Sequence, residues 1–309
     1  MQEHYTPIFN NLKYKVPNAH KSPHKVEVLK RFIQGVVANG DNGILHAGNN
    51  ILESDVNMIQ GWVHANSVLT PHLKVRKYAV EEARLKGKHS IMCDSNLFNY
   101  DVGKFHPMHY SRYSMDGVFP TTGNYFGDNP DPSRWKQIQQ DLGISMKDWR
   151  SNGVHILICT QRNGGWSMSG LPVVDWLDKT IKELRKFTDR PIIVRGHPGD
   201  KHAVKYLNKK KYNVSVNPKI VQDFQNAWAT ITYNSSPGVA SAIEGIPLFV
   251  TDPTPQISQA FPVANTDLSQ IETPDVFERQ QWIEKLAMSH WKFQELTDGS
   301  AWAHMRDYV

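Results

Sequence analysis

Residues 228–250 read Trp228-Ala-Thr-Ile-Thr-Tyr233-Asn-Ser-Ser-Pro-Gly-Val-Ala-Ser-Ala-Ile-Glu244-Gly-Ile-Pro-Leu-Phe-Val250. Ala229 to Tyr233 are mostly β-branched or apolar, which suits a buried strand. Asn234, Ser235 and Ser236 can cap the helix that follows and leave its first N–H groups to an anion. Pro237 fits the first helical turn, where its missing N–H costs nothing. Gly245 stops that helix, and Ile246 to Val250 makes a second buried strand. At the least this is an ordinary strand–helix–strand packing unit. The sharper reading is a site for phosphate and ribose at the carboxyl edge of a parallel sheet.

Upstream of this unit the same alternation continues. Val154 to Thr160 is an apolar strand followed by the loop Gln161-Arg-Asn-Gly-Gly-Trp166. Pro172 to Phe187 has helical spacing, with Val173, Trp176, Leu177, Ile181 and Leu184 on one face. Pro191 to Arg195 is a strand that runs into Gly196-His197-Pro198-Gly199. A short helix from Ala203, a strand over Tyr212–Val216 and a helix over Lys219–Ala227 lead back to residue 228. Strands alternating with helices predict a right-handed, doubly wound parallel sheet. Ligands of such sheets bind outside the carboxyl ends of the strands. Four loops meet there: Thr160, Gln161 and Arg162; Arg195 and His197; Asn234, Ser235 and Ser236; Thr251, Asp252 and Pro253. Two cations, an imidazole and several hydroxyls on one edge suit a diphosphate. Glu244, on the helix after the serine loop, is the expected acceptor for ribose hydroxyls.

The first half is less regular. Val26 to Val37 and Pro71 to Lys86 have helical spacing, and Asp55 to Val63 and Ser90 to Cys93 read as strands. Residues 1–24 read as irregular, and residues 97–153 as aromatic-rich with a helix near Trp135–Leu142. A chain of 309 residues accommodates two domains. The expected division is 1–150 for an acceptor-side α/β domain and 151–309 for a donor-binding domain that keeps the C-terminal helices, with the linker over 144–153. Two cysteines, Cys93 and Cys159, do not make a disulfide framework. No apolar run is long enough for a bilayer, and no signal-peptide pattern opens the chain, so the expected location is the cytoplasm, or a host cytoplasm if the protein is viral. Net charge is +5, and residues 1–31 hold Lys13, Lys15, Lys21, Lys25, Lys30 and Arg31 against Glu3 and Glu27. Nine of the fourteen histidines precede residue 110. A basic, His-rich half can meet nucleic acid or an anionic sugar, or simply be a solvated face.

Arg195-Gly-His-Pro198, then Ser235-Ser-Pro-Gly238, then Ala242-Ile-Glu244-Gly-Ile-Pro247 resemble the donor domain of GT-B glycosyltransferases, most of all the capsular-polysaccharide and Kdo-transferase-like group. The tail Trp282-Ile-Glu-Lys-Leu-Ala287, with His290-Trp291 and Trp302, is similar to that group's closing helices. The resemblance spans residues 154–303 and touches the first half only at Asp55…Gln60-Gly-Trp62 and the strand ending at Asp94. It implies a GT-B fold, two Rossmann-like α/β domains facing a cleft, and transfer of a sugar from a nucleotide sugar to an acceptor hydroxyl. It assigns His197, Ser235 and Ser236 to the donor phosphates and Glu244 to the ribose; Arg162 is added on charge and position.

A compact basic enzyme of this kind also resembles, in architecture alone, phage transferases that decorate hydroxymethylated pyrimidines in DNA. A DNA acceptor and a carbohydrate acceptor are therefore both carried, DNA slightly ahead. No cofactor and no metal are expected, the nucleotide sugar being a co-substrate. No Asp-x-Asp sits in a strand-end loop, and Asp128 and Asp131 belong to a Pro-rich turn. A general base is sought in the first half, where Asp94 leads, with its alternative as an Asx-turn residue, followed by His46 and His109. Trp62, Phe105, Tyr110, Tyr113 and Trp166 are either stacking surfaces or core. The rivals are a sugar-nucleotide epimerase and a non-enzymatic nucleic-acid binding protein. A Rossmann oxidoreductase lacks its Gly-x-Gly-x-x-Gly.

Overall fold

A computed structural model describes residues 8–10, 23–46, 50–62, 71–98, 100, 110–163, 166–168, 170–210, 212–254 and 258–309. Two separate sheets organise them.

The second sheet holds β6 (His155–Cys159), β7 (Ile192–Arg195), β8 (Ala227–Thr232) and β9 (Leu248–Val250), all parallel, in the order β7-β6-β8-β9. Isolated parallel bridges Val194–Val214 and Phe249–Asn265 extend it on both sides. Counting those bridges, the order is the 3-2-1-4-5-6 of a Rossmann sheet, and it reverses between β6 and β8. Every residue of β6 is buried, as its apolar run predicts. The expected strand over 212–216 reduces to that single bridge, and the helix over 219–227 to the short α6 (Ile220–Asp223). Helix α4 (Val173–Leu184) buries Val173, Trp176, Leu177 and Leu184 against this sheet, and α5 (Ala203–Lys209) adds Ala203 and Leu207.

Helix α7 (Pro237–Ile243) connects β8 to β9 and is buried nearly all round. Gly245 ends it at φ +71°, in the left-handed region that favours glycine. A Cβ there would lie 2.0 Å from the Asp148 carbonyl oxygen, so both conformation and space demand glycine.

The first sheet runs β10-β5-β4-β3-β1-β2. Its parallel part comprises β1 (Ile8–Asn10), β2 (Ile44–His46), β3 (Val56–Gln60) and β4 (His89–Asp94), with α1 (Pro23–Ala38) and α2 (Pro71–Leu85) as crossovers. The order 2-1-3-4 is that of a flavodoxin-like sheet. Strand β1 falls in a stretch expected to be irregular, and β5 (Tyr110–Met115) in one expected to lack a clear element. Strand β5 pairs antiparallel with β4, and its six residues Tyr-Ser-Arg-Tyr-Ser-Met are all buried. Polar residues on both faces hid it from a hydrophobicity pattern. Helix α3 (Pro132–Leu142) follows, capped by the Asp131 carboxylate on the Ser133 amide, which accounts for Asp131 structurally.

The C-terminal end returns to the first sheet. After α8 (Gln280–Met288), β10 (His290–Lys292) pairs antiparallel with β5. Helices α9 (Phe293–Asp298) and α10 (Ser300–Arg306) then pack on α1. Trp291, Leu296, Trp302 and Met305 share a core with Val28, Leu29, Phe32 and Val36. Full burial of each such side chain contributes about 1.5–3 kcal/mol. The expected division placed these helices with the second domain; their apolar faces pack on α1, beside the first sheet. A Cβ on Gly35 of α1 would meet the Leu296 carbonyl oxygen at 2.1 Å, so α1 and α9 touch backbone to backbone. A further cluster joins the halves: Leu97, Phe98, Trp135 and Ile138 pack with Val239, Ile243, Ile283 and Leu286. Cys93 and Cys159 are both free and buried. Among the described residues no helix is long and apolar enough to cross a membrane.

Candidate functional site

The sheet reversal between β6 and β8 leaves a crevice at their carboxyl ends, and polar side chains meet there. Gln161, two residues past β6 and buried, donates from Nε2 to Asn234 Oδ1 at 2.8 Å and to Ser167 Oγ at 2.9 Å. Asn234, after β8, donates from Nδ2 to the Ser167 carbonyl at 3.0 Å and to Asp252 Oδ2 at 2.7 Å. Three of the four strand-end loops are thus tied together by two amide side chains. Burial pushes the Asp252 carboxyl above its usual range, against the Thr254 amide and Asn234, which favour the charged form.

The β6 and β7 loops also meet. Thr160 Oγ1 accepts from the His197 amide at 3.1 Å, and the Thr160 amide donates to the Arg195 carbonyl at 2.9 Å. His197 Nδ1 accepts from the Gly199 amide at 2.9 Å, which places the proton of the neutral ring on Nε2. Arg162 is exposed and donates from Nη2 to the Gly199 carbonyl at 2.8 Å. A Cβ on Gly199 would lie 3.0 Å from His197 Cε1 and 3.1 Å from Arg162 Nη2, so imidazole and guanidinium flank one glycine. Asp200 locks both loops, accepting from the amides of Asn163 and His202 and from the Tyr206 hydroxyl.

Ser235 and Ser236 open α7 at this edge. The Ser235 hydroxyl is shielded from solvent and has no hydrogen-bond partner. Ser236 is exposed at the N-cap position, and its side chain makes no capping bond. Other buried hydroxyls, Thr230 and Thr232 on β8 among them, also lack a partner, so what singles out Ser235 is its place at the carboxyl edge of the sheet.

Two expected residues are not part of this cluster. Arg195 ends β7, but its guanidinium is bound by the Asp223 carboxylate and donates to the carbonyls of Asn217 at 3.0 Å and Pro218 at 3.2 Å. Asp223 is deeply buried and also accepts from Ser215 Oγ and Asn217 Nδ2. Arg195 therefore ties the sheet to α6 and its preceding loop rather than offering charge to a diphosphate. Glu244 lies at the far end of α7. The helix runs antiparallel to the strands, and its seven residues carry Glu244 about 10 Å from Ser236 toward the opposite edge. There its carboxylate takes Lys147 and the Tyr100 hydroxyl, the latter at 3.0 Å. Glu244, expected to hold the ribose, therefore stands apart from the residues that gather at the crevice. Glu244→Gln is expected to leave nucleotide affinity within about twofold, measured by calorimetry, because the bonds it alters are structural and remote from the crevice.

The expected bases also have other partners. Asp94 ends β4 and pairs with Arg112 at 2.7 Å while accepting from the Ser95 amide at 2.7 Å. Arg112 is buried and continues to the Tyr125 hydroxyl at 2.9 Å, and Tyr125 donates to Gln259 at 2.7 Å. Asp94 thus anchors a polar chain that runs between the two halves, as well as forming the local turn. His46 is partly exposed on β2 and donates from Nε2 to the Asn50 carbonyl at 2.7 Å. Strands β3 and β1 separate β2 from β4, so His46 and Asp94 stand on the order of 14 Å apart. His109, Phe105 and Lys21 lie outside the described residues. Tyr110 and Tyr113 are core, not stacking surfaces.

A cavity of about 510 Å³ lies elsewhere, on the first sheet beside α2, lined by Ile59, Trp62, Val80, Arg84 and neighbours. Its other charges are largely internal pairs: Lys77 with Glu81, Lys88 with Asp55, and His89 with Asp116. It lacks the convergence seen at the crevice.

Two Rossmann-like α/β domains built in this order constitute a GT-B fold. Among solved structures, a KpsC β-Kdo 2,7-transferase of Thermosulfurimonas dismutans is similar with TM-score 0.55 at 11% identity, over 99% of this chain and 99% of that one. A KpsC β-Kdo 2,4-transferase of the same organism is similar with TM-score 0.53 at 14% identity, over 93% of this chain and 91% of that one. A UDP-GlcNAc 2-epimerase of Methanocaldococcus jannaschii matches with TM-score 0.37 at 10% identity, over 98% and 99% of the two chains, too remote to weigh on activity. No protein-family profile matches the chain, and no curated protein matches it in sequence.

Proposed function

We propose that this protein is a glycosyltransferase that binds a nucleotide sugar in the β6/β8 crevice and moves the sugar to a hydroxyl of a carbohydrate acceptor. The observation that carries the reading is the Ser235 hydroxyl, buried without a partner at the sheet reversal where Arg162 and His197 flank Gly199. In the transfer, the bond from anomeric carbon to phosphate oxygen breaks and the acceptor oxygen bonds to that carbon. The acceptor proton passes to solvent water, and negative charge collects on the departing nucleotide. Arg162 and the Nε2–H of His197 hold that charge, and the Ser235 hydroxyl donates to the phosphate. The same crevice in a GT-B fold, and the Kdo transferases it resembles in architecture, support a sugar donor and a carbohydrate acceptor.

The DNA acceptor draws on the basic first 31 residues. Lys13, Lys15 and Lys21 are outside the described residues, and α1 uses Val28, Leu29, Phe32 and Val36 as core. It enters as one arm of the test. Nucleotide sugars are incubated with oligosaccharides and with hydroxymethylated DNA, and products are read by mass. A sugar increment on an oligosaccharide is expected. Epimer formed without acceptor, or DNA binding without any nucleotide-sugar binding, overturns the reading. Ser235→Ala is expected to weaken nucleotide binding about 5- to 10-fold while leaving the unfolding free energy unchanged, because the hydroxyl it removes has no partner to lose.

A further inference from the structure

We propose that Asp252 is the carboxylate that accepts the ribose hydroxyls of the bound nucleotide, the place vacated by Glu244. The inference rests on the nucleotide site proposed above and names one of its contacts. In a strand–loop–helix–strand unit that holds phosphate at its loop, the ribose falls beside the carboxyl end of the second strand, where an acidic residue takes its hydroxyls. Here the unit is β8, the Asn234–Ser236 loop, α7 and β9, and Asp252 stands two residues past Val250. Its amide donates to the Tyr233 carbonyl at 3.1 Å and its Oδ2 accepts from Asn234 at 2.7 Å, so it lies one hydrogen bond from the residue before Ser235.

Capacity separates Asp252 from its one competitor. Among the described residues, the loops after β6, β7, β8 and β9 carry two carboxylates, Asp200 and Asp252. Asp200 already accepts three donors and spends them binding loop to loop. Asp252 accepts one on each oxygen, from Asn234 at 2.7 Å and from the Thr254 amide at 2.9 Å. An ionised carboxylate has about four lone-pair sites, which leaves one on each oxygen for a vicinal diol. Its orientation is set in advance. Asn234, which holds it, is itself pinned by Gln161 and by the Ser167 carbonyl, so the acceptor need not be ordered on binding.

The test measures binding of UDP, CDP, ADP and GDP, of their 2′,3′-dideoxy counterparts, and of inorganic pyrophosphate to the full chain by calorimetry. The wild type is expected to prefer the ribonucleotide about 10-fold over its dideoxy form. Asp252→Asn is expected to bring that ratio to within about twofold of unity and to leave pyrophosphate affinity unchanged. Asp252→Ser, which keeps an acceptor for Asn234, should behave alike, and Glu244→Gln should retain the wild-type ratio. A thermal melt establishes that each variant is folded. A ratio in both Asp252 variants equal to that of the wild type overturns this inference alone. Failure of the wild type to bind any of the four nucleotides overturns it together with the site it rests on.

Discussion

Arg195→Ala is expected to cost about 3–5 kcal/mol of unfolding free energy, measured by urea denaturation. The reason is the partner left behind. The Asp223 side chain is 1% exposed, and with Arg195 gone it keeps only the Ser215 hydroxyl and the Asn217 amide as donors. A buried charge without its counter-ion carries its desolvation penalty almost whole. The carbonyls of Asn217 and Pro218 lose donors at the same time. Replacing both ends with apolar residues, Arg195→Met with Asp223→Leu, is expected to cost less than either single change, because no charge is then stranded. A stability loss under 1 kcal/mol, coupled to a fall in nucleotide affinity, would show that Arg195 acts on ligand after all.

The second large effect is on turnover. Arg162→Ala and His197→Ala are each expected to lower kcat/KM about 100-fold, the usual cost of one donor aimed at charge that develops in the transition state. Arg162 is exposed, and among the described residues its side chain donates to the Gly199 carbonyl alone, so its removal is expected to leave the melting temperature unchanged. The two residues flank Gly199, and if both act on the proposed phosphate the double variant is expected to lose less than the product of the single effects. Steady-state kinetics with the donor found by the mass screen decide this. Normal turnover in either variant removes that residue from the phosphate site.

The placement of His197 and Ser235 at one edge was legible because it follows from local pattern. An apolar strand, a glycine- or serine-bearing loop and an amphipathic helix are each encoded within a few residues. Once the alternation makes a parallel sheet, all the loops after the strands must share an edge. Arg195 has a partner that was not legible, for the opposite reason. Its position at a strand end is local, but its direction is set by Asp223, which lies 28 positions later and joins it only when α6 packs. The position of Glu244 turns on helix polarity. The loop and the helix end belong to one motif in the chain, yet the helix carries them to opposite edges. Asp252 was placed on the correct edge but given no role, because its single distinguishing feature, unused acceptor capacity beside Asn234, exists only after the loops meet.

By itself, then, the sequence determined most of the second sheet: strands β6 to β9, the crossovers α4, α5 and α7, and the edge at which polar residues gather. All of that rests on periodicity and turn chemistry acting over short range. Only the tertiary structure decided the rest. Strand β5, with Tyr, Ser and Arg on its faces, is a strand because β4 and β10 supply its ladder partners and Asp94 neutralises Arg112. Helices α9 and α10 pack with the first sheet's α1 because their apolar faces fit it, although α1 is more than 250 residues away in the chain. Which of the charged side chains at the crevice stay available to a ligand is likewise a matter of which ones the packing has already paired.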